Sequence, residues 1–292
     1  MVFQREEKVS IIECPRDAMQ GLREFIPTET KVDYLNQLLK VGFHTIDFGS
    51  FVSPKAIPQL RDTAEVLQGL DKELLKKNRL LAIVANLRGA KAACEHPQID
   101  YLGYPFSISE TFQLRNTNAT IDESLDRLSD IMEIAKDSNK QMVVYLSMGF
   151  GNPYGDPWNA ETVIKWSEIL YSLGVKILML SDTIGVARPE SISYIFGQVI
   201  PIFPDVVFGA HFHTAPHNWE EKIEAAFNAG CRRYDGAIKG YGGCPMAKDD
   251  LTGNMPTENV LNYFTDQKIE TGINTLEFKQ AILHSSKVFP LH

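Results

Sequence analysis

Short β-branched runs alternate with longer segments of helical period along nearly the whole chain, and that alternation limits the folds open to it. Residues 9–14, 44–48, 80–84, 101–106, 141–146, 176–180, 206–210 and 232–235 read as strands. Between them, residues 30–41, 121–138, 160–173, 189–202 and 218–229 carry apolar side chains three and four apart, the mark of a helix with one buried face. In the second of these the face is Ile121, Leu125, Leu128, Met132 and Ala135. Thr120 stands ahead of Asp122 and Glu123, which predicts a capped helix start with acid in its first turn. Gly42, Gly174 and Gly230 each stand where a helix pattern gives way to a strand, the place for a left-handed closing residue.

A β-α-β-α order implies a parallel sheet covered by helices. Eight strands at this spacing fit a closed eight-fold barrel, an α/β fold of the TIM (β/α)8 type, better than an open sheet. The strands are nearly continuous apolar runs, as strands buried on both faces should be. Two further helical patterns, 258–264 and 276–287, predict C-terminal helices over about 257–290 packed on the outside of a single domain, 1–292. A formal charge of −8 argues against a nucleic-acid footprint, which calls for a basic face. No apolar stretch approaches the ~18 residues of a membrane span, and residues 1–8 lack a signal-peptide core. The four cysteines form no C-x-x-C pair, so a reducing compartment and a cytoplasmic location are expected, with no membrane partner.

Active sites of such barrels lie at the carboxyl ends of the strands. Taken in order, those ends carry Arg16 and Asp17; Asp47; Asn86; Ser107, Ser109 and Glu110; Ser147; Asp182; His211 and His213; and a glycine-rich stretch, 240–245, containing Cys244, with Asn254 beyond it. His211 and His213 are two apart on a strand and so share a face, from which both can reach one ion. Oxygen donors such as Asp17 and Asn254 would complete a site for Mn²⁺, Mg²⁺, Fe²⁺ or Zn²⁺. The alternative is a pair of hydrogen-bonded core histidines. Arg16 aimed into a barrel mouth would face an enolate or carbonyl oxygen; otherwise it forms an ordinary ion pair with Asp17. Cys244 in a loop of glycines suggests a thiol on a lid, against the inert burial assigned to Cys14, Cys94 and Cys231. Asp47 and Asp182 are further candidates, each competing with a loop-capping role.

Pro-Arg-Asp at 15–17, Ser-Phe-Val-Ser-Pro-Lys at 50–55, Ser-Asp-Thr-Ile-Gly-Val at 181–186, His-Phe-His at 211–213 and Gly-Gly-Cys-Pro-Met-Ala from 242 with Gly-Asn at 253–254 are similar to the 3-hydroxy-3-methylglutaryl-CoA lyase family. The resemblance runs over about residues 8–260 and is most specific at the cysteine loop. It implies a divalent metal, Mg²⁺ or Mn²⁺ ahead of Zn²⁺, held by Asp17, His211, His213 and Asn254. It implies enolate stabilisation by Arg16, proton transfer by Cys244, and Asp47 and Asp182 near the substrate hydroxyl. The implied reaction is retro-aldol cleavage of a 3-hydroxyacyl-CoA, with an acyl-CoA as small-molecule partner and a homodimer as assembly. A condensing enzyme or 2-oxo-acid aldolase on the same barrel, or a non-catalytic acyl-CoA-binding barrel, are the other readings. The chain departs from the family pattern at Ala18, Gly21-Leu22, Asp47 and Thr214-Ala215-Pro216.

Overall fold

The computed structural model describes residues 8–243 and 252–289. Strand β1 (Ser10–Glu13) leads into a short helix α1 (Pro15–Gln20), then α2 (Thr28–Leu38) and β2 (Thr45–Ser50). There follow α3 (Thr63–Gly69), α4 (Lys72–Leu75), β3 (Leu80–Ile83), α5 (Leu87–Cys94), β4 (Ile99–Ser107), α6 (Glu110–Thr117), α7 (Ile121–Asp137) and β5 (Gln141–Ser147). The second half runs α8 (Ala160–Leu173), β6 (Ile177–Asp182), α9 (Pro189–Ile202), β7 (Val207–Thr214), α10 (Trp219–Asn228) and β8 (Arg233–Gly236). A two-residue strand β9 (Gly253–Asn254) precedes α11 (Thr257–Asp266) and α12 (Thr275–Val288).

Strands β1 to β8 pair in chain order, all parallel, and β8 closes on β1. The chain is a TIM barrel. All eight expected strands are present, and the helices expected at 160–173 and 189–202 have those bounds. Thr120 forms a capping box with Glu123 at the start of α7. Gly42, Gly174 and Gly230 have φ of +89°, +104° and +101°, the left-handed closures expected of them. Arg16 and Asp17 differ from expectation: the segment after β1 is not an open loop but one helical turn, begun by Pro15 at the position where a missing N–H is harmless.

Two layers of core result. Leu81, Ile83, Tyr101, Val143, Tyr145, Ile177 and Met179 fill the barrel, while a larger cluster lies between barrel and helices. Helix α12 lies against α2 on the outside, with Tyr34 edge-on to Phe289 at 6.0 Å and Phe43 edge-on to Phe278 at 6.2 Å. Glu13, at the end of β1, accepts from Ile238 N at 2.8 Å and Thr257 Oγ1 at 2.6 Å and so ties β1 to the approach of α11. Burial pushes its carboxyl up to about 8. Cys14 and Cys231 are buried and Cys94 half-buried; all three are free thiols, as expected of inert cysteines. Among the described residues, no helix is long and apolar enough to cross a membrane.

Candidate active site

Asp17, His211 and His213 come together at the carboxyl end of the barrel, with one ligand atom of each within 4.8 Å of the others. Strand geometry explains the pair of histidines. Residues two apart on β7 face the same way, and the two rings lie 5.4 Å apart. Asp17 reaches them from α1. His211 Nδ1 is 3.0 Å from Asp235 Oδ2, which leaves the other ring nitrogen for the cluster. A carboxylate behind a histidine in this way fixes the tautomer of a metal-binding imidazole.

The charge states suit an ion. Burial would raise the Asp17 carboxyl, but the Arg16 guanidinium and the two histidines bring it down to about 2. Burial and His211 lower His213 to about 4, so its ring is neutral at physiological pH. Burial pulls His211 down, and Asp235 more than offsets this, leaving it raised. A second grouping, Cys14, His211 and Asp235, shares the same imidazole. Burial holds the Cys14 thiol well above its usual range, so it stays protonated and is a poor ligand.

Asn254 arrives by a different route. Strand β9 adds to β7 antiparallel, pairing Asn254 with His213 and Gly253 with Thr214. Side chains directly opposite on an antiparallel pair share a face. Asn254 Nδ2 donates to Tyr241 O at 2.8 Å, and the side chain also hydrogen-bonds Asp17. Gly242 makes this closeness possible: φ is +82°, and a Cβ there would lie 2.8 Å from Asp17 O and 2.9 Å from Asn254 Nδ2. Only glycine fits.

Arg16 is clamped. Its Nε and Nη2 donate to Asp47 at 3.0 and 2.6 Å, and Nη1 donates to Asp17 Oδ1 at 3.0 Å and Gln20 Oε1 at 2.9 Å. Gln20 Nε2 in turn donates to Asp17 Oδ1 at 2.7 Å. Burial raises the Asp47 carboxyl to about 6, against the pull of Arg16. The guanidinium is thereby fixed at one edge of a cavity of about 290 Å³. Arg16, Asp17, Gln20, His211 and His213 form its polar side, with Tyr145, Ser147, Ser181 and Thr183; Val52, Ile57, Ile83, Pro105 and Phe112 are its apolar side.

The candidate residues therefore separate. Arg16, Asp17, His211 and His213 line the cavity, and Asn254 abuts them. Asp47 is fully buried behind Arg16 and acts on it rather than on the cavity. Asp182, expected near the substrate hydroxyl, is not in the cavity wall. Its carboxylate accepts from Lys222 Nζ at 2.7 Å and from the amides of Val186 at 2.8 Å and Ala187 at 3.1 Å, a loop-capping arrangement. Asn86 and Ser109 are helix N-caps. Cys244 lies outside the described residues, immediately after the cavity-lining Gly243.

Tyr145 was not singled out from the sequence. Its ring stands edge-on to His211 at 5.5 Å, and its hydroxyl is buried with no partner among the described residues. The signal was there in the alternation Val143, Tyr145, Ser147, which puts a phenol two residues below a strand end on the inward face. Lys222 and Asp235 were missed too.

The family model described as HMGL-like matches residues 8–282. Hydroxymethylglutaryl-CoA lyase YngG of Bacillus subtilis is 35% identical over 268 residues, covering 91% of this chain and 88% of that protein. A crystal structure titled HMG-CoA lyase from Brucella melitensis superposes with a TM-score of 0.90 at 32% identity, covering 97% of this chain and 99% of that one. An HMG-CoA lyase from Acinetobacter baumannii, solved with coenzyme A and 3-methylmalate, superposes at 0.88 and 32% identity, covering 97% and 91%. With a family match over nearly its whole length and relatives whose own chains it spans almost end to end, this chain belongs to the HMGL-like family.

Proposed function

We propose that this protein is a divalent-metal-dependent carbon–carbon lyase that cleaves 3-hydroxy-3-methylglutaryl-CoA to acetyl-CoA and acetoacetate. The observation that carries the reading is the convergence of Asp17, His211 and His213 beside a clamped Arg16 in one cavity, in a chain of this family. The donor set fits a hard or borderline ion. It offers one ionised carboxylate, one neutral imidazole and one imidazole backed by Asp235, with no thiolate. Asp17, His211, His213 and the carbonyl oxygen of Asn254 would hold Mg²⁺ or Mn²⁺. Bound there, the ion supplies Lewis acidity to the oxygens of the substrate.

The chain's own groups account for the rest. Loss of the C3 hydroxyl proton lets the C2–C3 bond break, its electron pair passing to the thioester as an enolate. Arg16 presents a planar cation, already fixed by Asp47 and Gln20, to the oxygen where that charge develops. The Tyr145 hydroxyl offers a second donor from the same floor. Protonation of the enolate at C2, for which Cys244 is the proposed donor, balances the proton lost from oxygen; no water, oxidant or reductant is consumed. The apolar side of the cavity suits an acyl methyl group. The coenzyme A present in the Acinetobacter relative supports a CoA carrier.

Incubation of the protein with Mg²⁺ or Mn²⁺ and a panel of 3-hydroxyacyl-CoA thioesters tests this. Acetyl-CoA and acetoacetate should appear in equal amounts from 3-hydroxy-3-methylglutaryl-CoA. No acetyl-CoA from any thioester would remove the assignment.

A further inference from the structure

Which end of the Asn254 amide faces Asp17, His211 and His213 is decided from outside the barrel. The pairing of β9 with β7 fixes the backbone of Asn254 but leaves its side-chain amide free to turn. Two acceptors settle the turn. Asn254 Nδ2 donates to Tyr241 O at 2.8 Å, and the amide also donates to the Asp17 carboxylate. Carbonyl and carboxylate oxygens only accept, so they occupy the nitrogen and leave the oxygen for an ion. The Tyr241 carbonyl has to stay in place for that.

The local backbone does little to hold it. Lys239, Gly240, Gly242 and Gly243 have φ of +58°, +67°, +82° and +142°, and Tyr241 N reaches Ile238 O only at 3.4 Å. The ring of Tyr241 is held instead. It stacks on Phe289, with centroids 4.4 Å apart and 19° between the planes, the closest ring pair among the described residues. Phe289 directly follows α12, is buried, and meets Tyr34 of α2 edge-on at 6.0 Å. A Cβ on Gly240 would lie 2.9 Å from Asn254 O, so the two stretches of backbone touch and a shift at 240–242 passes directly to Asn254. The same helix carries a second aromatic pair, Phe278 with Phe43 at 6.2 Å, which lies three turns before Phe289 and has no such connection.

We propose that Phe289 is a positioning residue for the metal site: its stack on Tyr241 fixes the carbonyl that presents the Asn254 amide oxygen-first to the ion. The role rests on the metal reading given under the proposed function. It makes the end of the C-terminal helix a support of the site, where the fold alone gives it only an outer face of the barrel to cover.

Calorimetric titration of the metal-free full chain with Mn²⁺ tests this, in wild type, F289L, Y241L, Y241F and F278L, with the thermal midpoint of each measured without metal. Leucine removes a ring and keeps an apolar side chain; Y241F keeps the stacking face. Mn²⁺ affinity should fall roughly tenfold in F289L and in Y241L, the scale of losing a support behind a metal ligand. Y241F should stay within about twofold of wild type, since the stack survives. F278L should lower the thermal midpoint and leave the affinity unchanged. Placed in an N254A background, F289L should cost no further affinity, because the residue it acts through is gone. Tyr241 is only half-buried, so Y241L carries the test if F289L does not fold. A wild type that binds no Mn²⁺ removes the metal reading and this role together. A wild type that binds, with F289L and Y241L no weaker than F278L, overturns the positioning role alone.

Discussion

Replacing Lys222 with methionine isolates what the buried pair beneath the active site contributes. Lys222 is fully buried, and its ammonium donates to Asp182 Oδ2 at 2.7 Å, His213 O at 3.0 Å and Gly185 O at 3.1 Å. Methionine keeps most of the stem volume, so the loss is almost entirely electrostatic. Asp182 would retain two amide donors, from Val186 and Ala187, and lose its counter-charge. Breaking a buried pair by removing one partner costs about 3–5 kcal/mol. The carboxylate has an escape, however: it can take up a proton. At pH 7, from an unfolded value near 3.9, that costs about 4 kcal/mol, which caps the penalty for the stranded charge. Burial already raises Asp182 in the intact pair, against the pull of Lys222, so without Lys222 the proton is held more tightly still.

The sign follows. In the variant the folded state binds a proton that the unfolded chain releases, so stability is recovered as pH falls and lost as it rises, at up to about 1.4 kcal/mol per pH unit. Urea denaturation of wild type and K222M should differ by about 4 kcal/mol at pH 7 and about 1.5 kcal/mol at pH 5. Adding Asp182→Asn to K222M should restore at least about 1 kcal/mol at pH 7 and little at pH 5. A loss below about 1 kcal/mol, or one that ignores pH, would refute the reasoning.

Three further outcomes test the site itself. The wild type should purify with a stoichiometric divalent ion by elemental analysis, and the double variant His211→Ala/His213→Ala should purify folded by circular dichroism but without it; retained metal would relocate the centre. Arg16→Lys keeps the charge but cannot reproduce the fork that engages Asp47, so kcat should fall by roughly 10²-fold or more with KM nearly unchanged; a change confined to KM would make Arg16 a binding residue. Cys244→Ser should keep metal and thioester affinity and slow cleavage by roughly 10²-fold, the scale of one lost acid–base group. Full activity of that variant would exclude the thiol from proton transfer.

The barrel was readable because its strands are covered on both sides, which turns each into an apolar run, and because glycine ends three helices just before a strand. The grouping of His211 with His213 was readable from spacing, because residues two apart on a strand share a face; the approach of Asp17 was expected from its place at the end of β1. What escaped was whatever depends on contacts across the fold. Lys222 sits in a helix rich in acids, where a lysine reads as part of a solvated face; only the packing of α10 on the ends of β6 and β7 shows it to be buried. Asp182 reads the same from sequence whether it faces substrate or caps its own loop, and the amides of 186 and 187 decide it. Strand β9 has two residues and pairs antiparallel, too short to register as a periodic signal.

The glycine crossing beside Asn254 divides the protein into parts that can be altered separately. A Cβ on Gly243 would lie 3.0 Å from Thr252 O and 3.2 Å from Gly253 Cα, so residues 243 and 252 are already held together at a neck. Whatever lies between them closes a loop whose ends are fixed by β7, β9 and α1. Closure entropy grows only slowly with length, about 0.6 kcal/mol for each doubling. The segment can therefore be lengthened, or exchanged with that of a relative, at little expense to the scaffold. Because Asn254 is anchored on the β7 side of the neck, such grafts should leave Asn254 paired with His213. That makes residues 245–251, which leave Cys244 in place, the natural cassette for exchange.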